Sequence, residues 1–252
     1  MIQQVSQQVS QQVSQQVGRV VALWRYPVKS MAGEHLDALP VEERGAVGDR
    51  VWAAYTPDGG IGSGKTTRRF RRVEGLLDLR ARHAGEVPRI AFPDGRELPA
   101  DEADDALSAL LGQPLRLARE STVPHHDDAP LHLVTTAALR RLEELTGLAP
   151  DPARFRANLL LDIDGSGFVE DDWLGRSMRI GSEVVVRLGA GMPRCVMVDM
   201  AQPHEGLPDD GRLLKAVAAA HDLDFGLMVS VEQPGTIRLG DSVTLLQQPA
   251  LG

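Results

Sequence analysis

The chain has 252 residues, 42% of them hydrophobic, enough for one large domain or two modest ones around a buried core. Its formal net charge of −8 argues against nonspecific nucleic-acid binding as a primary role, because that affinity comes from counterions released by clustered Lys and Arg. The longest apolar runs, NLLLDI and SEVVVRL, are far shorter than the roughly 20 residues of a membrane-spanning helix; with one cysteine and no basic-then-apolar signal block, the expected setting is reducing and cytoplasmic, with no membrane partner.

Residues 1–17 repeat a QQVS unit that spaces Val5, Val9, Val13 and Val17 four apart. The stripe is narrow, β-branched and surrounded by Gln and Ser, so a disordered extension outside the fold is expected. Beyond Gly18 the pattern predicts short strands at RVVALWRYPV, DRVWAAY, LRLA, NLLLDI, EVVVRL, RCVMVDM, FGLMVSV and SVTLL, rich in β-branched and aromatic residues and bounded by Gly, Pro and Asp. Turns at Gly48, Gly181 and Gly240 each launch such a run. Helical spacing occurs in DEADDALSALLG, with Gly112 as its stop, in TTAALRRLEELTG, with Thr135 or Thr136 as N-cap and Gly147 as terminator, and in GRLLKAVAAAHD. The fold class is therefore β-rich α+β, with a boundary in the polar segment Glu120 to Pro130.

Gly59, Gly64, Lys65 and Thr66 match the phosphate-loop pattern G-x-x-x-x-G-K-[ST], and Asp162 after an apolar run offers a magnesium-holding acid. A phosphate loop needs a buried strand feeding a glycine loop at a helix N-terminus. Here Pro57, Asp58 and Gly59 are hairpin-turn residues, and the chain lacks the alternating strand and helix of a P-loop NTPase. A hairpin is expected. The basic run KTTRRFRR after it, Lys65 to Arg72, fits a solvated edge, a positive wall to a cofactor or substrate cleft, or a surface for a redox partner. HHDD, His125 to Asp128, reads as a hydrated linker, because no second cluster has metal-ligand spacing. Glu170, Asp171 and Asp172 are given no catalytic role.

The lone cysteine, Cys195, follows Pro193 and Arg194. A single cysteine is commonly a small buried hydrophobe, but an adjacent guanidinium favours the thiolate, which makes a nucleophile or a soft-metal ligand. YPVKSMAGE, GAVGDRVW, RFRANLLLD, GFVEDDWLG, MRIGSEV, MPRCVMVD and FGLMVSVEQPGTIRLGDSVTLL occur in the order and approximate spacing of the MOSC family, which the chain resembles from about Arg19 to Leu246. It is similar to the two-part form, which implies an N-terminal β-barrel domain (residues 18–120) followed by a MOSC β-barrel domain with a few helices (121–252). The resemblance implies a molybdenum cofactor, with Cys195 as catalytic metal ligand. It assigns the pterin's phosphate and ring to Lys29, Ser30, Arg50, Thr135, Thr136, Arg156, Asn158 and Arg194. The family commonly has Pro where this chain has Ala157, a change that removes a backbone constraint and no ligand.

The implied activity is reduction of small N-hydroxylated or N-oxygenated substrates. The chain has too few cysteines for an iron–sulfur cluster, which takes about four thiolates, so a separate donor protein of ferredoxin or flavin-reductase type is expected. The alternative is a non-redox carrier bearing a persulfide on Cys195. No pyridoxal-phosphate domain to generate that sulfur is read in this chain.

Overall fold

The computed structural model describes residues 14–147 and 149–247. Seven strands close a barrel in the spatial order 159–162, 131–135, 224–233, 184–193, 177–180, 242–245 and 15–25, the last pairing back onto the first. Pairing is antiparallel except between Leu131–Thr135 and Leu159–Asp162, which are joined through the helix Thr136–Thr146 as a crossover requires. Residues of one parity on each strand, among them Leu133, Leu159, Met178, Val186, Val229 and Val243, fill the interior. In the closing strand Val20 pairs with Leu161 and Leu23 with Leu159, with Val21 bulged between. The bulge is why two residues three apart both face inward while Val21 is exposed.

The N-terminal half folds around a second core of Val28, Trp52, Leu79, Ile90, Phe92 and Leu117. It holds a four-stranded sheet in the order 116–119, 52–55, 61–63, 70–72, and a three-stranded sheet in the order 97–99, 89–91, 80–82. Strand Ala38–Glu42 pairs with Gly235–Arg238 from the far end of the chain, and Leu39, Val41 and Ile237 join the barrel core. The two halves are thus interleaved, because the N-terminal strands 15–25 and 38–42 belong with the C-terminal barrel.

Three α-helices occur among the described residues: α1 (Asp104–Leu111), α2 (Thr136–Thr146) and α3 (Leu213–His221). Gly112 and Gly147 stop the first two in the left-handed conformation, and the Thr135 hydroxyl accepts from the Ala138 amide as N-cap of α2. Helices α2 and α3 cover the barrel's outer wall through Leu142, Leu213 and Val217, packed on Val134, Phe155 and Phe225. No helix among the described residues is long and apolar enough to cross a membrane.

Three expectations need correction. Residues 1–13 lie outside the described residues, but Gln15 and Gln16 pair with Leu245 and Thr244, so the end of the QQVS repeat belongs to the barrel. The expected strand RCVMVDM is not one: the strand ends at Pro193 and a 3-10 turn follows at Val196–Val198. Only Val198 of that turn is buried, and alternation without a partner strand does not make a strand. Finally, HHDD is hydrated only in its second half: His125 and His126 are 0% and 8% exposed, held by cations described below, while Asp127 and Asp128 are exposed.

Candidate functional site

A pocket of about 170 Å³ opens where the two halves meet. Lys29 and Ser30 reach it from the chain leaving the closing strand, Arg50 from a turn, and Ser63 and Lys65 from the hairpin. Asp127 and Asp128 come from the linker, His132 from a barrel strand, Arg154, Arg156 and Asn158 from the approach to strand 159–162, and Met192 to Val198 from the end of strand 184–193. Cys195, half-buried and free of any disulfide, sits in the last segment. The pocket therefore gathers Cys195 and six of the expected cofactor residues: Lys29, Ser30, Arg50, Arg156, Asn158 and Arg194.

Thr135 and Thr136, also expected at the cofactor, are not among the lining residues. Thr135 shares its strand face with Leu131 and Leu133, inside the barrel, whereas His132 occupies the outward face. The Thr135 hydroxyl donates to Glu170 at 2.9 Å while capping α2. The Thr136 hydroxyl donates to Ile163 O at 3.1 Å.

The chain strains its backbone here. Among the described residues five non-glycines have positive φ, and three of them, Ser30 (65°), Arg50 (49°) and Arg156 (51°), line this pocket. Such a conformation costs of order 1–2 kcal/mol for an L-residue, so its clustering points to a function for this pocket. Arg156 stands out further. Its Cζ lies 4.3 Å from the Tyr26 ring centroid, and both terminal nitrogens are buried with no hydrogen-bond partner. Burial pushes its guanidinium down to about 10, still charged at neutral pH. A buried cation with empty donors is costly and matches a site built to close around an anion.

The other cations are more committed. Arg50 pairs with the buried Asp49, donates to Arg156 O at 2.9 Å, and lies 4.9 Å from the Tyr26 ring. Lys29 Nζ donates at 2.8 Å to both His125 O and Asp127 Oδ1, and burial lowers it to about 8. Arg69 donates to Pro124 O and His126 O, and the Tyr55 hydroxyl bonds His125 Nε2 at 2.7 Å, so cations and a phenol hold the linker down. Burial lowers His125 and His126 to about 4, leaving both neutral.

Two arginines fix the cysteine segment through carbonyls. Arg194 donates to Phe155 O at 2.9 Å and Phe225 O at 3.0 Å, and contacts His132. Arg154 donates to Val198 O, Met200 O and Pro208 O at 3.2, 3.3 and 2.6 Å. Asn158, wholly buried, accepts from His132 N and donates to Trp24 O. Arg194 and Asn158 thus line the pocket while their hydrogen bonds hold its walls together.

Sequence reasoning missed Asp127, His132, Arg154, Met192 and Met197 as site residues, and Lys65 entered it only within the basic run offered as a positive wall to a cleft; all of them line the pocket. All but His132 sat inside segments already singled out, and spacing alone did not say which of their side chains face the pocket. The phosphate-loop pattern resolves into the expected hairpin. Gly59 sits at its turn (φ 79°), Tyr55 pairs with Ile61, and the next element is strand 70–72 rather than a helix.

A family model of the MOSC N-terminal beta barrel domain matches residues 17–114, and one of the MOSC domain matches residues 120–244. The chain is 25% identical to mitochondrial amidoxime-reducing component 1 of Mus musculus, over 92% of this chain and 83% of that protein. It is 24% identical to the Homo sapiens protein of the same name, over 92% and 84%. Among solved structures, the YUAD protein from Bacillus subtilis shares the fold, with a TM-score of 0.54 and 14% identity over 94% of this chain and all of that one.

Proposed function

The chain belongs to the MOSC family in its two-part form, with the N-terminal beta barrel domain ahead of the MOSC domain, and from that premise we propose that it binds a molybdenum cofactor in the Cys195 pocket and reduces N-hydroxylated or N-oxygenated small molecules. The observation that carries this reading is the joining, in one pocket, of the only cysteine with a buried arginine whose donors are empty. The donor set suits the group: a soft sulfur for the metal and positive, hydrogen-bonding side chains for a phosphate and pterin edge. Cys195 would hold the metal, Arg156 the phosphate, and Lys29, Ser30 and Arg50 the surrounding polar edge.

When bound, the cofactor supplies two-electron redox chemistry at the N–O bond. That bond breaks, and its oxygen leaves as water with two protons and two electrons, the electrons coming from a separate ferredoxin or flavin-reductase type protein. The chain's own residues do the rest. Arg154 and Arg194 fix the Cys195 segment against the barrel, so the thiol is presented without reorganisation. The linker, tied by Lys29 and Arg69, covers the neighbouring wall. The names of the two amidoxime-reducing relatives support the substrate class.

Protein purified from cells that make the cofactor should contain stoichiometric molybdenum and pterin and reduce an amidoxime with a chemical electron donor; Cys195→Ala should lose both the metal and turnover. Metal-free protein carrying sulfane sulfur on Cys195 would replace this reading with a sulfur-carrier role.

A further inference from the structure

Lys65, the lysine of the phosphate-loop pattern, lines the pocket, although the reading above gives it no role. Three other cations of the basic run are committed elsewhere, Arg69 to the linker carbonyls, Arg71 to Asp58 and Arg72 to Glu74, and Arg68 is exposed. Lys65 itself is half-buried, its Nζ 5.3 Å from the Phe70 ring centroid. Among the described residues its ammonium donates no hydrogen bond and makes no ion pair within 4.0 Å; Asp127, which lines the same pocket, feels its charge but is bonded to Lys29.

Its position is built. A Cβ on Gly64 would lie 2.7 Å from Met197 Cγ and 3.0 Å from Met200 Sδ, so the glycine lets the hairpin press against the cysteine segment. Thr67 Oγ1 accepts from the Arg69 and Phe70 amides, and Thr66 Oγ1 accepts from the Arg72 amide, which shape the loop. Thr66, Thr67 and Arg68 are exposed, which places Lys65 at the mouth, on the wall shared with Cys195. Arg156, by contrast, lies deeper, on the Tyr26 ring.

Resting on the reading of a cofactor bound at Cys195, we propose that Lys65 selects the substrate: the N-oxygenated compound handled here carries a carboxylate or equivalent anionic group, which the Lys65 ammonium holds at the pocket mouth. An unpaired ammonium, partly desolvated and backed by an aromatic face, gains most from a charge-assisted hydrogen bond to an incoming oxyanion. The interaction fixes the approach of a flexible substrate as well as its affinity.

The test compares an amidoxime bearing a carboxylate with its uncharged counterpart, in wild type, Lys65→Gln, Lys65→Arg and the exposed-neighbour control Arg68→Gln. Turnover with a chemical donor gives the ratio of kcat/KM for the two amidoximes; calorimetry without a donor gives the Kd of the carboxylated one; molybdenum and pterin are assayed in each protein. In Lys65→Gln the ratio should fall and the Kd rise about tenfold, the size of one charge-assisted hydrogen bond, with cofactor content at the wild-type level. Lys65→Arg should restore most of the ratio and Arg68→Gln should leave it at the wild-type value. An unchanged ratio and Kd in Lys65→Gln, an equal shift from Arg68→Gln, or loss of cofactor from Lys65→Gln would each overturn the proposal. Wild-type protein without molybdenum that reduces neither amidoxime would instead sink the functional reading, and the calorimetric comparison would still decide whether Lys65 holds the carboxylate.

Discussion

At Arg156 the chain tolerates a left-handed backbone, a like charge at Arg50 across the same Tyr26 ring, and two buried donors without acceptors. All three are unfavourable in the protein alone, and an anion would compensate the like charges and fill the empty donors. Arg156→Asn keeps a residue that accepts positive φ and removes the buried charge. The cofactor-free variant should therefore melt higher, by about 1 kcal/mol in stability, while pterin content falls; a lower melting point with full pterin content would contradict the assignment. The sequence made this arginine visible only through its motif. RFRAN offers two arginines, and nothing in their spacing says that Arg154 is consumed by three carbonyls while Arg156 is left open. That difference is made by the left-handed turn at Arg156, which closes the 3-10 turn Pro152–Phe155.

At the scale of elements, the junction of strand 131–135 with α2 carries a buried acid that is separate from the pocket. Glu170 is 1% exposed, its Oε2 accepts from Thr135 and its Oε1 has no partner, and burial raises its pKa to about 7. Its folded-state pKa lies above the unfolded value, so the folded protein binds the extra proton between about pH 4.5 and 7. Stability from this group is full below pH 4.5 and is lost as pH rises toward 7, on the order of 3 kcal/mol in all. Glu170→Gln should flatten that part of the stability–pH curve in denaturant titrations, and an unchanged slope would refute the assignment. Thr135 was legible as an N-cap from TTAALRRLEELTG, but its second bond, to an acid 35 residues away, was not. Conversely, RCVMVDM has strand composition and makes no strand: its first side chain, Arg194, donates to Phe155 O and Phe225 O, and its Val198 and Met200 carbonyls accept from Arg154 rather than from a partner strand.

For the whole molecule, the decisive feature is the closing strand Gln15–Arg25, which seals the barrel between strands 159–162 and 242–245. It contributes Val20 and Leu23 to the interior, each worth about 1.5–3 kcal/mol on burial, together with two hydrogen-bonded edges. The sum rivals the 5–15 kcal/mol net stability of a typical domain. Residues 120–252 expressed alone should therefore lack a cooperative thermal transition, and adding residues 14–46 as a separate peptide should restore it; a sharp melt of the isolated segment would show that the barrel closes without this strand. The sequence by itself determined the β-rich class, the three helices with the glycine stops of two of them, and the hairpin in place of a phosphate loop, while the grouping of the cysteine with its cations was implied by the resemblance to the MOSC family. Those follow from local periodicity, turn chemistry and short motifs, which act over a few residues. Only the tertiary structure decided that the first strand belongs to the last barrel, that Thr135 faces the interior, that the two histidines of HHDD are buried, and which cations are spent and which stand open. Those depend on partners that approach from tens to more than a hundred residues away, and no local pattern records them.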